Sequence, residues 1–313
     1  MKDTVKDTMT QPAFRSGFIS IIGRPNVGKS TLLNRILKEK IAIISDKPQT
    51  TRNRILGVKH LPHAQVVFLD TPGIHKPQYK LNQRMVKTAL GTLQEVDLVF
   101  FLIEAAEADR MDRHAPLTAG GDRFILEWIK DLKTPVFLVI NKVDLIKKGK
   151  ILPLLEACGR QFAFAEIVPV SALTGDNVDR LLEAAVGYLP EGEPFFPEDV
   201  VTDQPVRFIA SEIIREKILH HTREEIPYSI AVMIESFKEA PGKPTHIQAT
   251  ILVERDSQKG ILIGKKGEML KTVGTEARLE LEGLLGAKVF LELWVKVQED
   301  WRQDEALLKE LGY

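Results

Sequence analysis

The chain has 313 residues, 44% hydrophobic and 27% charged, so two domains are expected and a disordered or collagen-like protein is excluded. Its 43 lysines and arginines balance 43 aspartates and glutamates, so nucleic-acid binding would need a local basic surface. No apolar run approaches the roughly 18 residues that cross a membrane, and residues 1–16 lack an apolar stretch, so we expect a cytoplasmic chain without a cleaved leader. We interpret the single Cys158 as a packing residue.

Continuous apolar runs in the first part of the chain predict buried strands. These runs are residues 18–22, 66–69, 98–103, 136–140 and 167–170. Patterns that predict helices lie between them, at residues 30–37, 81–93, 122–131 and 178–188. Apolar strands separated by helices are typical of a mostly parallel sheet covered on both faces. We therefore predict a doubly wound α/β domain, with a more polar edge strand at residues 54–59.

The composition changes at residues 189–205, where four prolines stand among acidic residues. This segment predicts a linker. The predicted divisions are a tail at 1–16, a first domain at 17–190, a linker at 191–204 and a second domain at 205–313. The pattern of the second domain predicts, in order, helix 206–221, strands 228–237 and 246–253, two helices around residues 264–267, strand 288–297 and a closing helix. It is a smaller α+β domain.

The segment GRPNVGKS, residues 23–30, follows the first predicted strand and opens a predicted helix. It matches the P-loop pattern, in which glycines let backbone N–H groups surround phosphate oxygens at a helix N-terminus. Lys29 is expected to reach the β and γ phosphates, and Ser30 is expected to bind Mg²⁺. The segment predicts a nucleoside triphosphate site.

The segment DTPG, residues 70–73, follows a predicted strand, which places the Asp70 carboxylate beside the P-loop. That carboxylate can hold Mg²⁺ through water. The backbone N–H of Gly73 can face a γ phosphate and move away after hydrolysis, as in a nucleotide switch. Ile74 stands where a glutamine would orient the attacking water, so we expect slow intrinsic hydrolysis.

The segment VINKVD predicts the identity of the base. Asp144 offers two acceptors to the N1–H and exocyclic amine of guanine, a pair of donors that adenine lacks. Asn141 is expected to bond the other edge of the base, and Lys142 to lie over the ring and ribose. In the following segment PVSAL, Ser171 and Ala172 are expected to present backbone N–H groups to the guanine carbonyl. The nucleotide is predicted to be GTP.

The motifs GRPNVGKS, QTTR, DTPG, NKVD and SAL, in this order over residues 17–190, resemble those of the translation-factor-related bacterial GTPases. The resemblance implies that a threonine of QTTR is the switch ligand of Mg²⁺; we expect Thr51, beside the arginine, rather than Thr50. Asn26 resembles an asparagine that helps to hold a potassium ion in some relatives, and the alternative is that it only shapes the loop.

The predicted site residues follow from these motifs. The predicted GTP-binding residues are Gly23, Arg24, Pro25, Asn26, Val27, Gly28, Lys29, Ser30, Asp70, Thr71, Pro72, Gly73, Ile74, Asn141, Lys142, Val143, Asp144, Ser171, Ala172 and Leu173. The predicted catalytic residues are Lys29, Thr51 and Gly73, and the predicted Mg²⁺ ligands are Ser30, Thr51 and Asp70.

In the second domain, Gly264-Lys265-Lys266-Gly267 lies between two predicted helices. The element order resembles a type II KH domain, whose paired glycines let the loop press against a nucleic-acid backbone beside an apolar groove for unpaired bases. Acidic residues slightly outnumber basic ones across 205–313, but five basic residues face two glutamates between residues 259 and 278. The predicted RNA-binding residues are Lys259, Ile261, Ile263, Gly264, Lys265, Lys266, Gly267, Lys271 and Arg278.

These features predict a monomeric GTP-hydrolysing switch that binds single-stranded RNA. Resemblance of the whole chain to the KH-bearing members of the family implies ribosomal RNA of the small subunit, during its assembly. The alternative is an adaptor whose GXXG domain binds a protein or membrane partner while hydrolysis is incidental, an interpretation that Ile74 favours. A peripheral membrane position is also considered, on the basic residues within 217–223. His220 and His221 are interpreted as surface or core residues, without metal-ligand spacing.

Overall fold

The structure is a computed structural model that describes residues 13–47, 49–74, 79–110, 115–117, 120–224, 226–240 and 242–313. The first part of the chain forms one sheet, whose strands are β1 (Arg15–Gly23), β2 (Ile55–Leu61), β3 (Ala64–Asp70), β4 (Leu98–Glu104), β5 (Val136–Asn141) and β6 (Glu166–Pro169). Their order is β2-β3-β1-β4-β5-β6. β2 runs antiparallel to β3 and the other pairs are parallel, which confirms the predicted mostly parallel sheet.

Helices cover both faces of this sheet. They are α1 (Lys29–Leu37), α2 (Lys80–Gly91), α3 (Ala105–Arg110), α4 (Gly120–Ile129), α5 (Ile151–Gly159) and α6 (Val178–Tyr188). Successive strand residues alternate between two cores: Phe100 packs on the side of α1 and α6, whereas Phe101 packs on the side of α4 and α5. Cys158 is buried in the second core, where burial raises the pKa of its thiol to about 12. It is therefore a packing residue.

The second part contains α7 (Val206–His221), α8 (Ile226–Ser229), β7 (Ala231–Lys238), β8 (Thr245–Val253), α9 (Asp256–Ile263), α10 (Glu268–Leu285), β9 (Val289–Val297) and α11 (Glu305–Glu310). The sheet order is β7-β8-β9, with β7 antiparallel and β9 parallel to β8. Helices α7 and α10 pack on one face of the sheet. This order is the predicted α+β arrangement.

Three helices differ from the sequence prediction, and one of them, α5, has nine residues and lies outside the predicted helical segments. Residues 226–229 form α8 instead of starting the strand predicted at 228–237. Pro227 stands in the first turn of α8, where its fixed φ angle and missing N–H suit a helix. The six-residue α3 was not predicted, because it is too short to show helical periodicity.

The predicted linker lies against the edge of the large sheet. The N–H of Val58 in β2 donates to the carbonyl of Val201 at 2.8 Å, and the Gln65 side chain bonds the backbone of Phe195 and Phe196 at 2.7 Å each. The segment thus covers the exposed side of the sheet edge. Domain boundaries at 190/191 and 204/205 stay a prediction. Among the described residues, no helix is long and apolar enough to cross a membrane.

Candidate functional site

The P-loop connects the end of β1 to the start of α1 and brings the predicted phosphate-binding residues together. Gly28 adopts a left-handed conformation with φ of 98°, and a Cβ atom there would lie 2.3 Å from Nδ2 of Asn141. Only glycine fits this position without displacing a neighbour. The buried Lys29 amine donates to the carbonyls of Gly23 at 3.2 Å and Arg24 at 2.9 Å, so Lys29 is held across the loop.

Three oxygen atoms converge beside the P-loop. Ser30 Oγ donates to Asp70 Oδ2 at 2.6 Å and lies 2.8 Å from Thr51 Oγ1. The other carboxylate oxygen of Asp70 is buried and has no hydrogen-bond partner among the described residues. Hydroxyl and carboxylate oxygens are the ligands that Mg²⁺ prefers, so this set fits that ion. The Thr50 hydroxyl instead donates to the carbonyl of Lys47 at 2.6 Å, and Thr51 alone of the two threonines lies at the set.

Burial perturbs both charged groups of the site. It raises the pKa of Asp70 to about 6, although Lys29 and Ser30 act in the opposite direction. It lowers the pKa of Lys29 to about 8, against the attraction of Asp70. Each charge is therefore costly in the protein alone, and a metal cation beside the carboxylate and a phosphate beside the amine would relieve that cost.

The DTPG turn lies against the P-loop. A Cβ atom at Gly73 would lie 2.7 Å from the backbone nitrogen of Pro25, so position 73 has room only for glycine. The N–H of Ile74 donates to the Gly23 carbonyl at 3.1 Å, and its side chain is buried in the core. Residue 74 thus offers no group that could orient water, as the sequence predicted. Thr71 Oγ1 donates to the Ile21 carbonyl at 2.8 Å and ties the turn to β1.

The base-recognition motif follows β5. The Asn141 side chain joins two loops: Nδ2 donates to the Val27 carbonyl at 2.8 Å and Oδ1 accepts from the Ala172 N–H at 2.9 Å. These bonds use one of the two Nδ2 hydrogens, and the predicted bond from Asn141 to the base stays a prediction. Asp144 is exposed in a short 3₁₀ turn with its carboxylate accessible. Lys142 donates to Glu104 at 2.7 Å at the rim of the site.

The SAL loop presents less free backbone than its sequence predicted. The N–H of Ser171 is bonded to the carbonyl of Asp176 at 3.0 Å, and that of Ala172 to Asn141. Among the described residues, no hydrogen bond is found for the N–H of Leu173, whose side chain is 69% exposed. The contact of Ser171 and Ala172 with the guanine carbonyl stays a prediction, and the N–H of Leu173 is the least engaged of the three.

An open cavity of about 420 Å³ lies between the P-loop and residues 43–46 and 49–51, a volume within the usual range for small-molecule sites. Asn26 lies on its wall and donates to the carbonyl of Asp46 at 2.6 Å. The Arg24 side chain points away from the cavity, to Glu107 at 2.7 Å and Asp122 at 2.8 Å. Arg24 can therefore contact phosphate only through its backbone. The cavity is lined by Pro25, Asn26, Gly28, Lys29, Ser30, Thr31, Ile43, Ile44, Ser45, Asp46, Gln49, Thr50, Thr51, Gly73 and Lys142.

The GXXG turn joins α9 to α10. Gly264 has φ of 73°, and a Cβ atom there would lie 2.8 Å from Cβ of Met269. Gly267 has φ of 81° and immediately precedes α10, and a Cβ atom there would have no described atom within 4 Å. Lys265 and Lys266 between them are exposed. The turn thus offers two lysines and an open backbone at a helix N-terminus, which suits a phosphate.

The other predicted RNA-binding residues divide into two groups. Ile261 is 53% exposed, and Lys271 is exposed near the start of α10, so both are accessible beside the turn. Lys259 and Ile263 are half-buried on α9. Arg278 lies about 15 Å along α10 from its start and pairs with Glu282 at 2.8 Å. Arg278 is therefore separated from the GXXG turn.

Two basic residues of the segment 217–223 lie beside acidic residues, whereas Arg223 is exposed. Lys217 is largely buried and pairs with Glu280, and His221 lies 2.9 Å from Glu276. The negative charges beside these groups were not apparent in the sequence, because Glu276 and Glu280 lie on α10, far along the chain. These pairs reduce the positive charge of the segment, and a membrane contact through it stays a prediction.

Comparisons with known proteins agree with this geometry. The profile of a family described as 50S ribosome-binding GTPase matches residues 18–142, and that of the KH domain matches residues 225–302. The GTPase Era of Geobacter metallireducens is 56% identical over 306 residues, which cover 97% of this chain and 100% of that protein. That of Heliobacterium modesticaldum is 53% identical over 299 residues, covering 96% and 97% of the two chains.

Solved structures of Era are similar over nearly the full length. One is Era in complex with MgGDPNP and nucleotides 1506–1542 of 16S ribosomal RNA, at 46% identity and a TM-score of 0.90, covering 96% of this chain and 99% of that chain. A variant of Aquifex aeolicus Era bound to GDP·AlF₄⁻ gives the same values.

Fold and site together define a P-loop GTPase joined to a type II KH domain. Its parts are a phosphate loop, a set of oxygen ligands suited to Mg²⁺, the exposed carboxylate of Asp144 and a GXXG turn. The chain belongs to the Era family of GTPases. It is an enzyme that hydrolyses GTP to GDP and phosphate, with Mg²⁺ as cofactor.

Proposed function

We propose that this GTPase is a switch whose KH domain binds single-stranded RNA at the 3′ end of small-subunit ribosomal RNA, and that it acts in assembly of that subunit. The exposed Lys265–Lys266 turn, in the same chain as a complete GTP site, carries the proposal. A relative that matches 96% of this chain holds nucleotides 1506–1542 of 16S ribosomal RNA. Because that relative matches the whole chain, its ligand is a better guide to the subunit than the broad description of the family profile.

Site roles follow from the positions of the side chains. Lys29, released from the two P-loop carbonyls, would contact the β and γ phosphates and stabilise the charge that develops during transfer. Ser30, Thr51 and Asp70 would hold the Mg²⁺ ion, which would supply positive charge to stabilise the phosphate oxygens. Asp144 would accept from N1–H and the amine of guanine. No side chain at these positions serves as a general base, so we expect hydrolysis to be slow until a partner assists it.

The RNA site follows from the backbone at the GXXG turn. Gly267 leaves space for a sugar-phosphate backbone, and the N-terminus of α10 carries a partial positive charge beside it. Lys265 and Lys266 add two exposed positive charges, and the exposed Ile261 offers an apolar contact for an unstacked base. Since the rest of the domain carries mixed charge, we expect a narrow site specific for single strands.

Substitution of the two lysines tests the RNA proposal. The double variant Lys265→Glu, Lys266→Glu is compared with Lys238→Glu, Lys243→Glu, which makes the same charge change at exposed positions of the same domain. Binding of an oligoribonucleotide with the sequence of the bound 16S segment is measured at a stated salt concentration, because phosphate contacts depend on salt. We expect the first variant to lose binding at least tenfold more than the second. Equal loss would refute the site.

The same double variant separates the switch from an adaptor. An adaptor would retain its protein partner after the lysine substitutions, and its RNA affinity would be negligible from the start. We place the switch in the cytoplasm as a monomer. Peripheral membrane contact stays a prediction, and flotation with anionic phospholipid vesicles tests it.

A potassium ion near Asn26 also stays a prediction. The Asn26 amide lies against the Asp46 carbonyl at 2.6 Å, so residues 26 and 46 are close enough to share an ion or simply to bond each other. Hydrolysis measured in potassium and in sodium chloride, for the chain and for Asn26→Ala, distinguishes the two. A rate that rises with potassium only when Asn26 is present would support the ion site.

A further inference from the structure

The segment between α1 and β2 faces two domains at once. One side of this switch segment, residues 40–47 and 49–52, lines the nucleotide cavity. The other side packs on α7 of the KH domain: the Ile43 side chain is buried among KH core residues. The N–H of Ile44 donates to Glu216 Oε1 at 2.8 Å, and its carbonyl lies 3.0 Å from His220 Nε2. The switch segment is therefore part of the domain interface.

Arg215, on α7, holds the residue before the predicted metal ligand. Its side chain is 1% exposed, and Nη2 donates to the backbone carbonyl of Thr50. Glu212 neutralises the guanidinium by accepting from Nε at 2.7 Å and from Nη2. A buried guanidinium needs such acceptors to offset its lost hydration. Arg215 thus takes one of its hydrogen-bond acceptors, the Thr50 carbonyl, from the switch segment.

Arg52, the residue after Thr51, is also held by contacts with the KH domain. Its side chain is 3% exposed, Nη1 donates to the carbonyl of Ile230 at 2.6 Å, and the guanidinium lies 5.6 Å from the ring centroids of both Trp301 and Tyr313. These acceptors and rings belong to the KH domain. Thr51 therefore stands between two residues whose positions are set by that domain, and consecutive Cα atoms are only about 3.8 Å apart.

We propose that Arg215 and Arg52 are positioning residues for GTP hydrolysis, which hold Thr51 Oγ1 at the magnesium site through contacts made by the docked KH domain. The proposal rests on the role of Thr51 as a magnesium ligand, proposed above, and is independent of RNA binding. Binding free energies are reciprocal, so a nucleoside triphosphate with Mg²⁺ favours the docked arrangement as strongly as docking favours its binding.

Substitution of Arg215 tests the proposal, with Arg207→Met on the exposed side of the same helix as the matched control. The measurement is the Mg²⁺ concentration needed for half-maximal binding of a fluorescent non-hydrolysable GTP analogue, and separately of fluorescent GDP. We expect Arg215→Met to raise this concentration about tenfold for the analogue, within the usual range of coupling, and to leave the value for GDP unchanged. Arg215→Lys keeps one donor for the Thr50 carbonyl and should restore part of the loss.

A double-mutant cycle with Thr51→Ala shows whether Arg215 acts through Thr51. Thr51→Ala alone should also raise the Mg²⁺ concentration needed to bind the analogue, and adding Arg215→Met should have no further effect. A full tenfold effect of Arg215→Met in the Thr51→Ala background, or none in the parent chain, would overturn the positioning role. No effect of Thr51→Ala alone would instead refute the metal-ligand assignment.

Hydrogen exchange distinguishes a local change in the switch segment from a loss of stability of the whole KH domain. In Arg215→Met we expect faster exchange of the amides of residues 44–47 and 49–51, with those of β8 unchanged. If β8 also exchanges faster, Arg52→Met tests the same contact from the other domain. The proposal is supported if Arg52→Met raises the Mg²⁺ concentration needed to bind the analogue, and if this effect disappears in the Thr51→Ala background. An unchanged Mg²⁺ dependence contradicts it.

Discussion

Replacing Asp70 by asparagine removes a buried negative charge from the magnesium site while keeping the size of the side chain. The carboxylate is 0% exposed, and one of its oxygens has no hydrogen-bond partner among the described residues. In the absence of a cation, that charge opposes folding because burial disfavours the ionised form. We therefore expect Asp70→Asn to stabilise the ligand-free protein and to abolish Mg²⁺-dependent binding of GTP.

The magnitude follows from the pKa. Burial raises the pKa of Asp70 from 3.8 to about 6, and 1.36 kcal/mol per pKa unit converts this difference to about 3 kcal/mol. Because the pKa is raised in the folded protein, the stability that this group contributes is complete below pH 3.8 and is lost as the pH rises through 6. The free-energy difference between the variant and the parent should thus grow by about 3 kcal/mol between about pH 4 and pH 7.

Urea unfolding of the ligand-free proteins at several pH values measures this difference. Asp122→Asn is the control, since Asp122 is also buried with its pKa raised to about 6 but lies outside the magnesium site, against Arg24. Both variants should flatten the pH profile, while only Asp70→Asn should lose the stabilisation that Mg²⁺ and GTP give the parent chain. A variant less stable than the parent at neutral pH, with the pH profile unchanged, would refute the electrostatic reasoning.

Further predictions concern the base, the GXXG turn and the P-loop. In Asp144→Asn an amide donor replaces a carboxylate acceptor. Competition binding should therefore show at least a tenfold lower affinity for GTP and a higher affinity for xanthosine triphosphate. Gly264→Ala should lower RNA affinity and destabilise the KH domain by about 1–3 kcal/mol, because its Cβ would meet Met269. Thermal unfolding and RNA titration check this, with Gly286→Ala, where no described atom is near, as the control. Gly28→Ala should abolish nucleotide binding, measured by fluorescent GDP, since its Cβ would meet Asn141.

Local sequence patterns predicted most of the strands and helices of the fold. The buried strands of the large sheet are continuous apolar runs, which a parallel sheet covered on both faces requires. Helices such as Val178–Tyr188 and Val206–His221 have the bounds that their periodicity predicted. Short elements escaped because periodicity needs more than one or two turns, as in Ala105–Arg110 and Ile226–Ser229.

The motifs identified the ligand, whereas the polar partners of individual side chains became apparent only in the structure. Asp144 is exposed and Gly28 has a left-handed backbone, as a motif with residue types at fixed spacing requires. Asn141 matched a base-recognition motif, yet its amide joins two loops. Arg278 counted toward a basic cluster, yet Glu282 neutralises it one helical turn away. Motif spacing does not show which polar partners surround a side chain after folding.

The amino-acid sequence by itself determined the class of each domain, the nucleotide and the order of the site motifs, because hydrophobic periodicity and phosphate chemistry act over short spans of chain. Only the tertiary structure decided that the switch segment lies against the KH domain. Arg52 and Arg215 are far apart in the chain, and no sequence pattern predicts that both lie beside Thr51. Their shared burial beside Thr51 arises from packing of α7 on the GTPase domain, and packing between distant elements leaves no local pattern to read.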